Sequence, residues 1–353
     1  MDKYIFLFER EISLVLAPYG LHTANVERKN MPRTTGGGLL GPKVRNSPFW
    51  PARFGNKRVE AVAHRVKKVF SSLGTLGYLG AGELADYRYY EASIIEALVR
   101  IDQKAVSGAL HPLDLRDYPK TLRYPEGVAR VAVFIGSFDP FQMTHLTMAL
   151  RFLASEKSRA DLVVVVPEGS ADPKKPRKTE YPFRYQILKL QLAGVFEPFI
   201  LPLDIGAGAD TIEIVRRFIA LHAGTRLEMT HLFGSDVLSL AARFLDADLE
   251  VWRAEAQRSG VDFSLSSFVA RRLRQGSLAV QLAAMRAKGI ELHLDRKVIG
   301  APSSTDFREE RQVTLVLPTE AILDRLEILF RYNMNRPWSG KPEDSEGRSR
   351  WEI

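Results

Sequence analysis

From Val128 onward, short apolar runs alternate with amphipathic segments, and that alternation limits the chain to few architectures. Val131–Ile135, Leu162–Val166, Phe199–Leu203, Met229–Phe233 and Ile290–Leu294 have the length and apolar content of buried strands. Between them, Leu146–Ala154, Tyr185–Leu192, Ile212–Leu221, Val237–Phe244 and Leu278–Arg286 carry helical spacing. The run Leu162-Val163-Val164-Val165-Val166 has no polar face, as expected of a central strand covered on both sides. The spacing therefore predicts an α/β fold, a Rossmann-like doubly wound parallel sheet over residues 128–332. Ligands of such a sheet belong at the carboxyl ends of its strands.

Residues 1–127 lack this alternation. Val59, Val62, Val66 and Val69, then Ile94, Leu98 and Ile101, recur at helical spacing, so an N-terminal, mainly helical extension domain is expected. Between Met31 and Phe54 the chain is rich in Gly, Pro and Arg. Gly36, Gly41 and Lys43 imitate a phosphate-binding loop there, but Pro42 and Val44 occupy positions that such a loop cannot give to them. Residues 333–353 are polar and read as a disordered tail.

Charge is uneven. Residues 1–128 hold 19 Lys and Arg against 13 Asp and Glu, and Arg28–Lys68 contains eleven basic residues and one acid, Glu60. That block reads either as a solvated face or as a contact for an anionic partner. The chain has no cysteine, which excludes disulfides, thiolate metal sites and thiol nucleophiles and fits a cytoplasmic location. No membrane span and no signal-peptide layout are expected; a homo-oligomer is compatible with the sequence.

The chemistry concentrates after the first strand. Val131–Ile135 runs into Gly136-Ser137-Phe138-Asp139-Pro140-Phe141-Gln142-Met143-Thr144-His145, and a helix opens at its end. A strand, a glycine turn and a helix N-terminus together form an anion site, because free N–H groups and the helix dipole converge there. His145, on the first helical turn, offers a cationic or hydrogen-bonding imidazole. A second cluster, Ser303-Ser304-Thr305-Asp306-Phe307-Arg308, follows the last strand. It joins hydroxyls, helix-start N–H groups and a guanidinium suited to polyphosphate.

The decapeptide resembles the first signature of the nucleotidyltransferase superfamily, Gly-x-Phe-Asp-Pro-x-His-x-Gly-His, and Ser303–Arg308 resembles the second, Ser-Ser/Ala-Thr-x-x-Arg. Further matches are similar to the nicotinate/nicotinamide mononucleotide adenylyltransferases: Pro173-Lys174-Lys175-Pro176 followed by Arg184, Asp210-Thr211, Gly234-Ser235-Asp236, and the closing Leu317-Pro318. Gln142 and Thr144 depart from the pattern, standing where the family has histidine and glycine.

The resemblance implies an adenylyltransferase of NAD biosynthesis that moves AMP from ATP, with Mg2+, to a phosphorylated small-molecule acceptor and releases pyrophosphate. His145 and Arg308 would be catalytic. Gly136, Ser137, Phe138, Gln142, Gly234, Asp236, Ser303, Ser304 and Thr305 would bind the nucleotide, and Lys175, Arg184 and Thr211 the acceptor. No protein-held metal is implied. The alternatives are an adenylyl- or cytidylyltransferase with another acceptor, such as phosphopantetheine, and a nucleotide-binding regulator without turnover.

Overall fold

The computed structural model describes residues 50–51, 53–75, 81–114, 118, 124, 127–169, 179–192, 195–196, 198–272, 279–287 and 291–295. All of them fall within one unit, Val44–Asn335. Lys175, the Ser303–Arg308 cluster, the tail and the first part of the basic block, up to residue 49, lie outside the described residues.

Six strands form one parallel sheet: β1 (Val128–Gly136), β2 (Leu162–Pro167), β3 (Ile200–Pro202), β4 (Arg226–Gly234), β5 (Asp262–Ala270) and β6 (Glu291–Leu294). Their order is β3-β2-β1-β4-β5-β6, so the chain reverses its direction of travel between β1 and β4. Side chains of β1 and β2 alternate between two cores. Ala132, Phe134, Val163 and Val165 face one side, and Val131, Val133, Leu162, Val164 and Val166 the other, as a pleated strand requires.

One face is covered by α3 (Met143–Ala154) and α4 (Tyr181–Leu192), the other by α5 (Thr211–Ala220), α6 (Leu238–Arg258) and α7 (Ala279–Ala287). The Rossmann-like expectation is borne out. Helix α5 illustrates how local sequence sets a boundary. The Asp210 carboxylate accepts from the Glu213 N–H at 2.9 Å, Glu213 meets the positive helix end, and Arg217 lies in the last turn.

Two helices precede the sheet, α1 (Lys57–Thr75) and α2 (Ala81–Val106). The stripe Val59, Val62, Val66, Val69 and the stripe Ile94, Leu98, Ile101 are buried in the same hydrophobic core as Phe134 and Leu150. Asp102 of α2 accepts from the N–H groups of Gly55 and Asn56 at 2.9 and 2.7 Å, and the Asn56 side chain caps α1 by accepting from Arg58 N–H at 3.0 Å. Among the described residues no helix is long and apolar enough to cross a membrane.

Two elements differ from the expectation. Strand β5 was not foreseen, because Asp262-Phe263-Ser264-Leu265-Ser266 alternates polar and apolar residues and only its carboxyl-terminal half is fully buried. Helix α6 continues to Arg258, well past Phe244. It is carried on by Leu249, Trp252 and Ala256, which return to the core at helical spacing.

The loops after β2 and β3 cross with no room for a side chain. A Cβ on Gly206 would stand 1.9 Å from the Pro167 carbonyl oxygen, and one on Gly169 would stand 2.1 Å from the Gly206 oxygen. Both clashes are with backbone, so neither can be relieved by a rotamer change. Gly206→Ala is expected to cost about 3 kcal/mol of stability, measured by denaturant unfolding. An unchanged midpoint would mean that the crossing is wider than described.

Candidate active site

The carboxyl ends of β1 and β4 lie side by side where the strand order reverses, which is where an open α/β sheet leaves a crevice. Two loops meet at that place: Gly136–Gln142 after β1, and Gly234–Val237 after β4.

The first loop is built around aromatic rings. Phe138 has φ +41°, a region that costs a residue with a side chain, and the Asp139–Pro140 peptide is cis. The Phe138 ring meets Phe134, Phe141 and His145 at centroid distances of 5.0, 5.5 and 5.1 Å. A Cβ on Gly136 would stand 3.2 Å from this ring. The glycine thus makes space for Phe138, a role additional to the close ligand approach expected of it.

Helix α3 starts with Met143, and its first in-register bond runs from Leu146 N–H to Gln142 O at 3.1 Å. The N–H groups of residues 143 and 144 precede that bond and form the donor end of the helix, while that of His145 is directed at the Gln142 side chain in a capping box. Within this turn, His145 Nδ1 accepts from the Gln142 N–H at 3.2 Å. A neutral ring so held carries its proton on Nε2 and is a hydrogen-bond donor there. Burial holds the His145 imidazole down at about 3, and the Arg272 cation pushes in the same direction. Of the two forms expected from sequence, the free protein therefore holds the neutral one.

The loop is held from behind. The Arg184 guanidinium is buried and donates to the carbonyls of Ser137, Thr179 at 2.8 Å and Glu168 at 2.8 Å. The Glu168 N–H donates to Gly136 O at 2.9 Å. The buried Asp139 carboxylate accepts from the Thr179 hydroxyl and from the Thr179 N–H at 3.1 Å. Three Arg184 donors are thus engaged with backbone carbonyls of the loops around the site. Thr211, at the start of α5, donates to Glu168 Oε1 at 3.2 Å, so Thr211 and Glu168 share the edge near β2.

Gly234, Ser235 and Asp236 close the β4 side. Ser235 is buried and its hydroxyl accepts from Arg272 N–H at 3.0 Å, while Asp236 is exposed and pairs with the Arg272 guanidinium at 3.6 Å. Arg272, two residues past β5, and Glu168 were not singled out from sequence. The signal available for Arg272 was its place two residues after the apolar Phe268-Val269-Ala270 run, near a strand's carboxyl end.

Gln142 and Thr144, the two departures, are both fully buried. The Thr144 hydroxyl shares a 2.8 Å hydrogen bond with the Tyr90 hydroxyl of α2. Its side chain is thus turned toward the N-terminal helix.

A pH dependence follows from two partly buried, desolvated imidazoles. Burial also lowers His231 of β4, to about 4. Both folded values lie below the unfolded one, so the unfolded chain takes up protons first as pH falls below about 6.5. Stability is therefore full above that pH and declines below it, by about 2 kcal/mol for each histidine between pH 7 and pH 5. His231→Phe should make the decline shallower by about 2 kcal/mol in denaturant titrations at the two pH values. The same decline in wild type and variant would remove His231 from this account.

Over 85 residues the chain is 33% identical to a probable nicotinate-nucleotide adenylyltransferase of Bordetella pertussis, and to the same degree to that of Bordetella parapertussis. The match covers 24% of this chain and 42% of each relative, so the chain matches less than half the length of these curated relatives. Structures of the Plasmodium falciparum nicotinic acid mononucleotide adenylyltransferase, complexed with APC and with NaAD, align at TM-scores of 0.38 and 0.40. Both are 15% identical, and the alignments cover 57% and 58% of this chain and 97% and 96% of those chains. No protein-family model matches the chain. The 85-residue match bears out the resemblance read from the signature residues: the chain is related to nucleotidyltransferases of the nicotinate-mononucleotide type.

Proposed function

We propose that the chain transfers AMP from ATP to a phosphorylated acceptor, with nicotinate or nicotinamide mononucleotide as the acceptor, and releases pyrophosphate. What supports this reading is the meeting, at the reversal of strand order, of a helix N-terminus, the His145 imidazole and the Asp236–Arg272 pair. A helix N-terminus and a guanidinium near the same strand ends suit an oligophosphate better than a neutral metabolite.

In this scheme an acceptor phosphate oxygen attacks the α-phosphorus of ATP. The bond to the bridging oxygen breaks, and its electron pair leaves with pyrophosphate. The chain contributes position and charge neutralisation. The N–H groups of residues 143 and 144 and His145 Nε2 would hold phosphate oxygens, and Arg272 would meet the charge that builds on the leaving group. Ser303, Ser304, Thr305 and Arg308 would grip the outer phosphates. Lys175, with Thr211 beside Glu168, would serve the acceptor side. Mg2+ would be carried by phosphate oxygens and water, as this ion commonly is.

The test is pyrophosphate release with ATP and Mg2+ against nicotinate mononucleotide, nicotinamide mononucleotide and phosphopantetheine. Turnover with a pyridine mononucleotide supports the proposal, and turnover with phosphopantetheine alone replaces its acceptor. ATP binding without release for any acceptor overturns it in favour of a nucleotide-binding regulator.

A further inference from the structure

We infer that Tyr90 is a positioning residue of the nucleotide site, and that α2 is part of the scaffold that holds the phosphate-facing turn of α3 in place. The inference rests on the proposed nucleotide site and adds to it a residue outside the sheet domain expected from sequence.

Helix α2 is tied to α3 at both ends. Near the start of α3, Tyr90 and Thr144 share a hydrogen bond of 2.8 Å between two buried side chains. At the other end, Lys104 Nζ donates to the carbonyls of Leu153, Ser155 and Ser158 at 2.8, 3.0 and 2.9 Å. The first two are carbonyl groups that a helix end leaves without intrahelical donors, and Ser158 lies in the loop just beyond it. Burial around this ammonium lowers Lys104 to about 8. The two helices thus run in the same direction, and the pair of ties fixes α3 along its own axis.

That axial position matters to the site. Thr144 lies between Met143 and His145, in the opening turn of α3 that carries the donors of the proposed site. One residue of helical slippage would move those donors by about 1.5 Å, and misplacement by about 1 Å can cost a reaction about a hundredfold. The position at which the signature pattern has glycine is filled here by a hydroxyl, and that hydroxyl bonds to α2. The departure from the pattern and the presence of α2 are on this account one feature.

The experiment measures ATP affinity by calorimetry, with Mg2+, on the full chain. Tyr90→Phe and Thr144→Val are each expected to weaken binding about tenfold, while Thr144→Ser keeps the hydroxyl and the affinity. The double variant should bind no more weakly than either single one, because both remove the same bond. Ile101→Val, a buried change elsewhere on α2, serves as the control for stability and should leave affinity unaltered.

Equal affinity in wild type and Tyr90→Phe, or equal loss in Ile101→Val, would overturn the inference. If wild type binds no ATP, the functional proposal fails separately. Amide hydrogen exchange over residues 143–147 then decides the coupling. Faster exchange in Tyr90→Phe and not in Ile101→Val upholds it, and unchanged exchange overturns it.

Discussion

His145→Ala is expected to lower turnover at least about a hundredfold while the protein stays folded, because removing one oriented donor from a phosphate or oxyanion site typically costs that much. The ring is locked by its Nδ1 contact with the Gln142 N–H and by Phe138 and Phe141. Nε2 is therefore presented in one direction, and it presents a hydrogen bond rather than a positive charge. His145→Gln, which can still offer an N–H, should lose less than His145→Ala. Steady-state rates on both variants, with circular dichroism to confirm the fold, check the expectation. Wild-type turnover in His145→Ala would remove this residue from the reaction.

Arg184→Met should have the largest effect on stability. The change leaves the buried carbonyl of Thr179 and the partly buried carbonyls of Ser137 and Glu168 without this donor. Unmet buried acceptors cost about 1–3 kcal/mol each, so a loss of about 3–5 kcal/mol is expected. For a domain of this size that lowers the melting temperature by roughly 10 °C. Arg184→Lys, with a single ammonium, can restore only part of it. A direct acceptor-binding role predicts a different result: an unchanged melting temperature and a raised KM for the acceptor alone. Calorimetric melting together with acceptor kinetics separates the two.

The sheet was legible because β1 and β2 are buried on both faces and so carry uninterrupted apolar runs, as Leu162–Val166 shows. Strand β5 was not, since its first half faces partly outward and alternates Phe263 and Leu265 with Ser264 and Ser266. Residues on the loop after β1 could be found from their spacing and their likeness to a signature. Their supports could not. Tyr90 lies 54 residues from Thr144, and Arg184 lies 47 residues from Ser137. Such pairs leave no local periodicity, and a buried arginine that binds carbonyls has the same sequence appearance as one that binds a ligand. Arg272 and Glu168 were missed for the related reason that a charged residue at a strand end is common and only geometry singles one out.

The union of α2 with α3 also sets an order on synthesis. The chain emerges with α1 and α2 first, and their valine and isoleucine stripes have no complete partner until α3 has followed. The hydrogen bonds that join α2 to α3 span some fifty residues, as Lys104 to Leu153 and Tyr90 to Thr144 do. Long-range closure of this kind is slow relative to helix formation and leaves apolar surface open meanwhile. A nascent chain stalled between Val106 and Met143 would therefore present a sticky two-helix segment. Recombinant fragments cut at the start of β1 would face the converse problem, a sheet and helix deprived of their cover.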